Sequence, residues 1–352
     1  MSPHVPRRVE DITSEWLSQV LQTGVTDVAI AEVIGGTATK LRLRLAYDGP
    51  VPLPATMCLK AGMGDHAAFM APVGIYATEA RFFRDELSHS KVRAPRVYWS
   101  DVDDEGFGAI LMEDLNRPSV RFCSARTPLT VAEVSRALEN LALLHAGRWN
   151  SEWLSSAEWL EHFADPDSKG RAYFSMLGAD TVAGFINQPE RSAVLPDELH
   201  DARRSLDLFW GFVAVSDAGP KTLLHGDAHV GNVYFDHGHA ALCDWQVAGR
   251  GSPAFDVAYL VGSAMSTDMR RRTEHELVRH YLAALARAGV ADAPTFDEMW
   301  ELYRAHMAYG YFAWLTNPEA FQPRDIITET LQRFGHAVVD LQTGAAVGVA
   351  LS

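Results

Sequence analysis

The sequence predicts an α+β chain in two lobes: a small β-sheet with one inserted helix over residues 1–113, and a larger, mostly helical part over 114–352. Three observations carry that reading. At 352 residues the chain exceeds what one compact core usually holds. Apolar residues in its first third alternate with a period of two. From Asp114 onward they recur at helical spacing instead.

Element by element, residues 11–22 carry Ile12, Trp16, Leu17, Val20 and Leu21 at helical spacing, with Gly24 placed to end the helix. A strand over 28–34 runs into Gly35-Gly36-Thr37. Leu41, Leu43 and Leu45 then alternate with Arg42 and Arg44, a half-exposed strand. Pro50, Pro52 and Pro54 mark a turn before the apolar run Met57-Cys58-Leu59, which Lys60 ends. Residues 76–87 read as a helix containing Glu79, and 96–100 and 107–112 as two further strands. Beyond Glu113 and Asp114, Thr130 and Glu133 form a capping box that opens a long helix. Further helical patterns cover 196–213, 253–263, 271–288 and 296–315, with Ser252-Pro253 as a start signal. Short strand-like pieces at 223–224, 233–235 and 241–243 lie between them.

Those short strands bracket the residues that carry chemistry. His225-Gly226-Asp227-Ala228-His229-Val230-Gly231-Asn232 is followed by Asp244-Trp245-Gln246. A lone His-Gly-Asp triplet reads as a turn that ends a strand. Joined by Asn232 and Asp244, it supplies what phosphoryl transfer needs. Asp227 is a carboxylate to orient the attacking hydroxyl, while Asn232 and Asp244 offer an amide oxygen and a carboxylate to Mg²⁺. Because that transition state is loose, positioning counts for more than base strength. No Gly-x-x-x-x-Gly-Lys-Ser/Thr loop is present, so P-loop chemistry is not expected.

Residues 224–246 resemble the aminoglycoside phosphotransferases and the related ecdysteroid- and choline-kinase-like small-molecule kinases, whose catalytic loop is commonly His-Gly-Asp-x-His-x-x-Asn. His225, Gly226, Asp227, His229 and Asn232 match every fixed position, and Asp244 matches the family's metal-binding Asp. The resemblance implies a bilobal protein-kinase-like fold, with a nucleotide-binding lobe over 1–113 and a catalytic and substrate-binding lobe over 114–352. It implies Mg²⁺ and ATP (or GTP) as phosphoryl donor. It further implies an ion pair that anchors the α- and β-phosphates, for which Lys60 and Glu79 are the candidates. Lys40 is the rival lysine, set aside because it alternates with Arg42 and Arg44 on what reads as a solvated face; Glu86 is the rival carboxylate. Gly35, Gly36 and Thr37 would let backbone approach a phosphate, although two glycines also occur in ordinary hairpins. Glu113 and Leu115 lie where family members bind adenine through backbone groups, and an ordinary strand end explains them equally well. Asp256 resembles the Asp that hydrogen-bonds the catalytic loop; His225 and His229 are read as doing the same supporting work. His145, in Leu143-Leu144-His145, reads as structural.

The acceptor is less legible. No protein-kinase His-Arg-Asp, Asp-Phe-Gly or Ala-Pro-Glu signature stands in register, so a small-molecule hydroxyl is expected rather than a protein. Trp300, Tyr303, Met307, Tyr311 and Trp314 share one face of a helix, as packed core or as a pocket wall. Asp292, Asp297, Glu298 and Glu301 could attract a polyamine, or be plain solvated acids. Gln246, where many aminoglycoside kinases carry Glu, leans toward the ecdysteroid-kinase-like branch. A net charge of −14 argues against nucleic acid and anionic membranes as partners. Three cysteines without paired or metal-binding spacing, and the lack of a signal-peptide or membrane-spanning stretch, lead to the expectation of a reduced, cytoplasmic protein. A nucleotide-binding pseudokinase and a nucleotidyltransferase on the same fold are the alternatives.

Overall fold

The computed structural model describes residues 4–64 and 67–351. Two compact units emerge from it. The first comprises Met1–His89, Ala94–Val120 and Cys243–Val247; the second comprises Ser90–Arg93, Arg121–Leu242 and Ala248–Ser352.

In the first unit, α1 (Ser14–Leu21) opens on Thr13, whose hydroxyl accepts the Trp16 N–H. It closes on Gln22, which takes the left-handed conformation (φ +52°), and not on Gly24 as expected. The cause is local. Ser18 Oγ accepts the Val25 N–H at 2.9 Å, drawing the chain into β1 (Val25–Ile34) before Gly24 could act as a cap. The strands β2 (Thr39–Tyr47), β3 (Thr56–Ala61), β4 (Val97–Val102) and β5 (Gly108–Glu113) complete an antiparallel sheet of order β1-β2-β3-β5-β4. Leu41, Leu43, Leu45, Met57 and Leu59 point to one face and are buried with Trp16, Leu17 and Val20 of α1. Each such side chain stabilises the fold by roughly 1.5–3 kcal/mol.

The other face carries the charged residues, and its register corrects one expectation. Lys40 pairs with Lys60 and Arg42 with Cys58, so all four side chains share a face. Alternation with Arg42 therefore does not separate Lys40 from Lys60. Arg42 is also not simply solvated, since it bonds Asp114 and Glu32. After α2 (Ala67–Met70), α3 (Ile75–Arg81) starts the helix expected over 76–87, and the chain then widens into a π-turn over Phe82–Glu86.

The remaining chain is mostly helical. Following β6 (Val120–Phe122), α4 (Val131–Ala146) begins at the anticipated Thr130–Glu133 capping box. The short helices α5 (Trp153–Ser156), α6 (Lys169–Ser175), α7 (Ala179–Ile186) and α8 (Pro189–Ser192) were not foreseen, and neither were the 17-residue helix Arg324–Asp340 and the short one at Thr343–Ala346. The pattern over 196–213 is split. A 3-10 turn at Asp197–Leu199 stops, and the Asp201 carboxylate caps α9 (Ala202–Val215) as a fresh start. Strands β7 (Thr222–Leu224), β8 (Val233–Asp236), β9 (His239–Leu242) and β10 (Gly249–Gly251) flank the motif. Then come α10 (Ala254–Ala264), α11 (Thr267–Arg287), α12 (Phe296–Leu315), α13 (Arg324–Asp340) and α14 (Thr343–Ala346). Every residue of α10 is buried, as its nearly unbroken apolar sequence requires. Its one charged residue, Asp256, must therefore find partners inside the protein. Among the described residues, no helix is long and apolar enough to cross a membrane.

Candidate active site

The loop after β7 is built around Asp256. Its Oδ2 accepts the His225 N–H at 2.7 Å, and its Oδ1 accepts the Gly226 N–H at 3.0 Å. Aiming two successive N–H groups at one carboxylate needs an unusual backbone turn. Gly226 supplies it with φ +79°, a conformation glycine adopts without steric cost. Asp256 Oδ2 also meets His145 Nε2 at 3.1 Å, and His145 Nδ1 meets the Tyr281 hydroxyl at 2.7 Å. Because a carboxylate only accepts, the His145 proton sits on Nε2, leaving Nδ1 to accept from Tyr281. All three groups are fully buried. Burial first, and then the charge of Asp256, hold the Tyr281 hydroxyl well above the usual tyrosine value, so it stays a donor. His145 thus belongs to the loop's support, and Tyr281, invisible in the sequence, completes it.

Within the loop, Asn232 Nδ2 donates to the Asp227 carbonyl at 2.8 Å and to Asp227 Oδ2 at 2.9 Å. The amide oxygen is the atom of Asn232 whose chemistry suits a cation. His229 Nδ1 accepts the Gly231 N–H at 3.0 Å, placing its proton on Nε2, 3.6 Å from Asp227 Oδ2. Gly231 is needed there, because a Cβ would lie 2.6 Å from the imidazole. His225 Nδ1 accepts the Asp227 N–H at 3.2 Å, and Ser263 Oγ accepts that of Val230 at 2.9 Å. These bonds fix the backbone while the Asp227 side chain remains about one-third exposed (33%), open to a ligand.

In the first unit, Lys60 Nζ lies 2.7 Å from Glu79 Oε2 and 2.9 Å from Asp244 Oδ1. Glu79 Oε1 also accepts the Trp245 N–H at 3.1 Å, and the Trp245 indole stacks on Phe82 with ring centroids 3.8 Å apart. Of the rivals, Glu86 lies in the π-turn, whereas it is Glu79 that meets Lys60, and among the described residues Lys40 has no carboxylate partner. Burial depresses the Lys60 ammonium, but the charges of Asp244 and Glu79 outweigh it and hold the lysine above its ordinary value. Burial likewise raises the Glu79 carboxyl, against the pull of Lys60. Asp244 adopts a left-handed conformation (φ +68°) that Asp tolerates better than most side chains. Its side chain is one-third exposed. Two residues on, the Gln246 amide nitrogen is buried without a partner among the described residues.

Gly35 and Gly36 are exposed in the turn between β1 and β2, and Thr37 is half-buried, its carbonyl accepting the Tyr76 hydroxyl at 2.7 Å. Glu113 ends β5, with its carboxylate accepting the Arg96 N–H and pairing with Arg117. The Leu115 carbonyl accepts the Arg117 N–H at 2.9 Å. On α12, Tyr303, Met307, Tyr311 and Trp314 are buried and Trp300 is half-buried, so all of the aromatic stripe but its first residue is core. Trp314 nevertheless meets the His229 ring edge-on at 5.3 Å. Off that stripe, half-buried Tyr309 packs against Phe163, Phe255 and Tyr259. An open groove of about 640 Å³ holds the acidic residues Asp292, Glu298 and Glu301. Each already has a partner: Asn150, Thr295 and Arg304 respectively.

The ecdysteroid kinase-like family model matches residues 76–290, which run from α3 through the loop after β7 to the end of α11. The chain belongs to the ecdysteroid kinase-like family. It is thereby a member of a group of kinase-like, small-molecule phosphotransferases. No curated protein sequence matches the chain. Solved structures similar to this ecdysteroid kinase-like chain include a candidate aminoglycoside phosphotransferase from Ralstonia eutropha. It is 13% identical with a TM-score of 0.53, over 92% of this chain and 96% of that one. Choline kinase from Streptococcus pneumoniae is 14% identical with a TM-score of 0.50, covering 94% and 97%. Spectinomycin phosphotransferase, solved with ADP and spectinomycin, is 13% identical with a TM-score of 0.50, covering 94% and 99%. At such identities the likeness establishes the fold, a small antiparallel sheet followed by a helical part.

Proposed function

We propose that this protein transfers the γ-phosphoryl group of ATP or GTP to a hydroxyl of a small molecule. The observation that carries the proposal is the Asp227–Asn232 pairing on a loop whose backbone is pinned by buried Asp256. Asp227 orients the acceptor hydroxyl and takes its proton as the phosphorus–oxygen bond forms. Asn232 and Asp244 would hold Mg²⁺; their amide and carboxylate oxygens suit a hard cation. When bound, that ion neutralises charge on the phosphates. Lys60, braced by Glu79, anchors the α- and β-phosphates, and Gly35, Gly36 and Thr37 line the phosphate side of the nucleotide site. Backbone groups of Glu113 and Leu115 meet the base. The orphaned Gln246 amide is a donor that a phosphate oxygen would satisfy, which supports an anionic ligand beside Asp244. In this reading residues 1–113 form the nucleotide-binding lobe and 114–352 the catalytic and substrate-binding lobe.

The acceptor is a hydroxyl compound that presents an apolar face. The Tyr259 ring lies 5.9 Å from that of His229 and 5.3 Å from that of Tyr309, so aromatic surface adjoins the loop that carries Asp227. A polyamine acceptor is disfavoured, because Asp292, Glu298 and Glu301 are committed to other partners.

Incubation with Mg²⁺, a panel of hydroxyl compounds, and ATP labelled at the γ- or α-phosphate tests the reading. Transfer of γ-label to an acceptor is expected. Transfer of α-label would make the protein a nucleotidyltransferase, and nucleotide binding without transfer would make it a pseudokinase.

A further inference from the structure

The turn between β1 and β2 has only two glycines and is exposed at both, so nothing in its own sequence holds it in one place. The restraint comes from outside the turn. Tyr76, in the first turn of α3, is buried and donates its hydroxyl to the Thr37 carbonyl at 2.7 Å. The next residue, Ala38, is buried in a small cluster with Ala67, Ala71, Ile75 and Tyr76. One hydrogen bond to α3, and one apolar cluster shared by α3, α2 and the residues between them, thus tie the turn down.

The helix α3 is itself fixed from two sides. A Cβ on Gly62 would lie 2.6 Å from the Tyr76 ring, so the ring rests on bare backbone two residues beyond Lys60. A Cβ on Gly108 would lie 2.2 Å from the Tyr76 carbonyl, so α3 presses on β5 at a point where only glycine fits. Three residues after Tyr76, on the same side of α3, Glu79 meets Lys60. One rigid turn of helix therefore holds both the glycine turn and the carboxylate that braces the lysine.

From this geometry we infer that Tyr76 is a positioning residue of the nucleotide site, clamping the glycine turn at a fixed height relative to the Lys60–Glu79 pair. The inference rests on the kinase reading above, and gives the two-glycine turn the stiffness that its own composition lacks. Tyr76 touches no phosphate; it acts through Thr37. Its loss should therefore weaken ligands in proportion to their phosphates and leave a bare nucleoside almost unaffected.

The test is calorimetric binding of Mg-ATP and of adenosine to the full chain and to Tyr76→Phe, which removes one oxygen and keeps the ring on Gly62. Mg-ATP affinity should fall about three- to tenfold, the range expected for one hydrogen bond, with adenosine affinity unchanged. Equal affinities for Mg-ATP in both proteins, or equal losses for Mg-ATP and adenosine, overturn the inference and leave the kinase reading standing. A wild-type chain that binds no Mg-nucleotide overturns both. Hydrogen exchange on the wild-type protein is a second measurement that needs no variant. The amides of 37–39 should open together with those of α3. Free exchange in the turn while α3 stays protected would show that the tether does not hold.

Discussion

Replacing Asp256 by Asn changes one atom at the centre of the loop after β7, and its cost follows from the geometry. Three donors converge on the carboxylate: the His225 and Gly226 N–H groups and His145 Nε2. An amide offers one accepting oxygen and one donating nitrogen, so one position must set donor against donor. Two of the three bonds fall on Oδ2, and the amide oxygen will turn toward that side. The Gly226 N–H is then stranded against the amide nitrogen. Losing one charge-assisted bond, with the other two reduced to neutral strength, costs about 3 kcal/mol. Two compact units make global unfolding a poor reporter, since it need not be two-state. Local opening is the better assay. By native-state hydrogen exchange the Gly226 amide should open about 100-fold more readily, as ~3 kcal/mol implies at 1.36 kcal/mol per decade. Amides of α1, in the other unit, should be unaffected. Unchanged exchange at Gly226 and His225 would refute the view that Asp256 holds the loop.

Asp227→Asn should lower γ-phosphoryl transfer at least ~100-fold while Mg-nucleotide affinity, read by calorimetry, stays within about threefold. Retained turnover would remove Asp227 from the proposed role. Asp244→Asn should weaken Mg-nucleotide binding about tenfold or more, and an unchanged dissociation constant would contradict its assignment as a metal ligand. Lys60→Met strands Glu79 as a buried charge and should destabilise the first unit by roughly 3–5 kcal/mol, visible as faster exchange in β3 and α3. His306 gives a pH signature. Burial lowers it from 6.5 to about 4, so the unfolded chain binds a proton that the folded chain refuses between those values. Stability should therefore fall as pH drops from about 6.5 toward 4, by at most about 3 kcal/mol from this group, and be flat above. In His306→Gln that acid slope should shrink; an identical slope would assign it to other groups.

How much was readable in advance depended on the distance between partners along the chain. Asp227 and Asn232 are five residues apart, and His229 bonds a residue two away, so the loop's internal bonds follow from the local motif. The capping box at Thr130 and the full extent of α12 are likewise local, set by neighbouring side chains. Long-range pairings were less accessible. Lys60 and Asp244 are 184 positions apart, and His145 and Tyr281 are 136 apart. The motif resemblance pointed to Lys60 and Glu79, but alternation gave a wrong reason for setting Lys40 aside. Only the β2–β3 register shows the two lysines on one face.

Periodicity and one short motif, read alone, were enough for the α+β fold class and for the family, because each is encoded over a few residues. Tertiary structure alone decided three matters. It chose which lysine is flanked by carboxylates, gave Tyr76 and Tyr281 their buried bonds, and turned most of the aromatic stripe of α12 into core. Those outcomes depend on strand register and helix packing, where a side chain's neighbours lie scores of residues away and no local pattern records them.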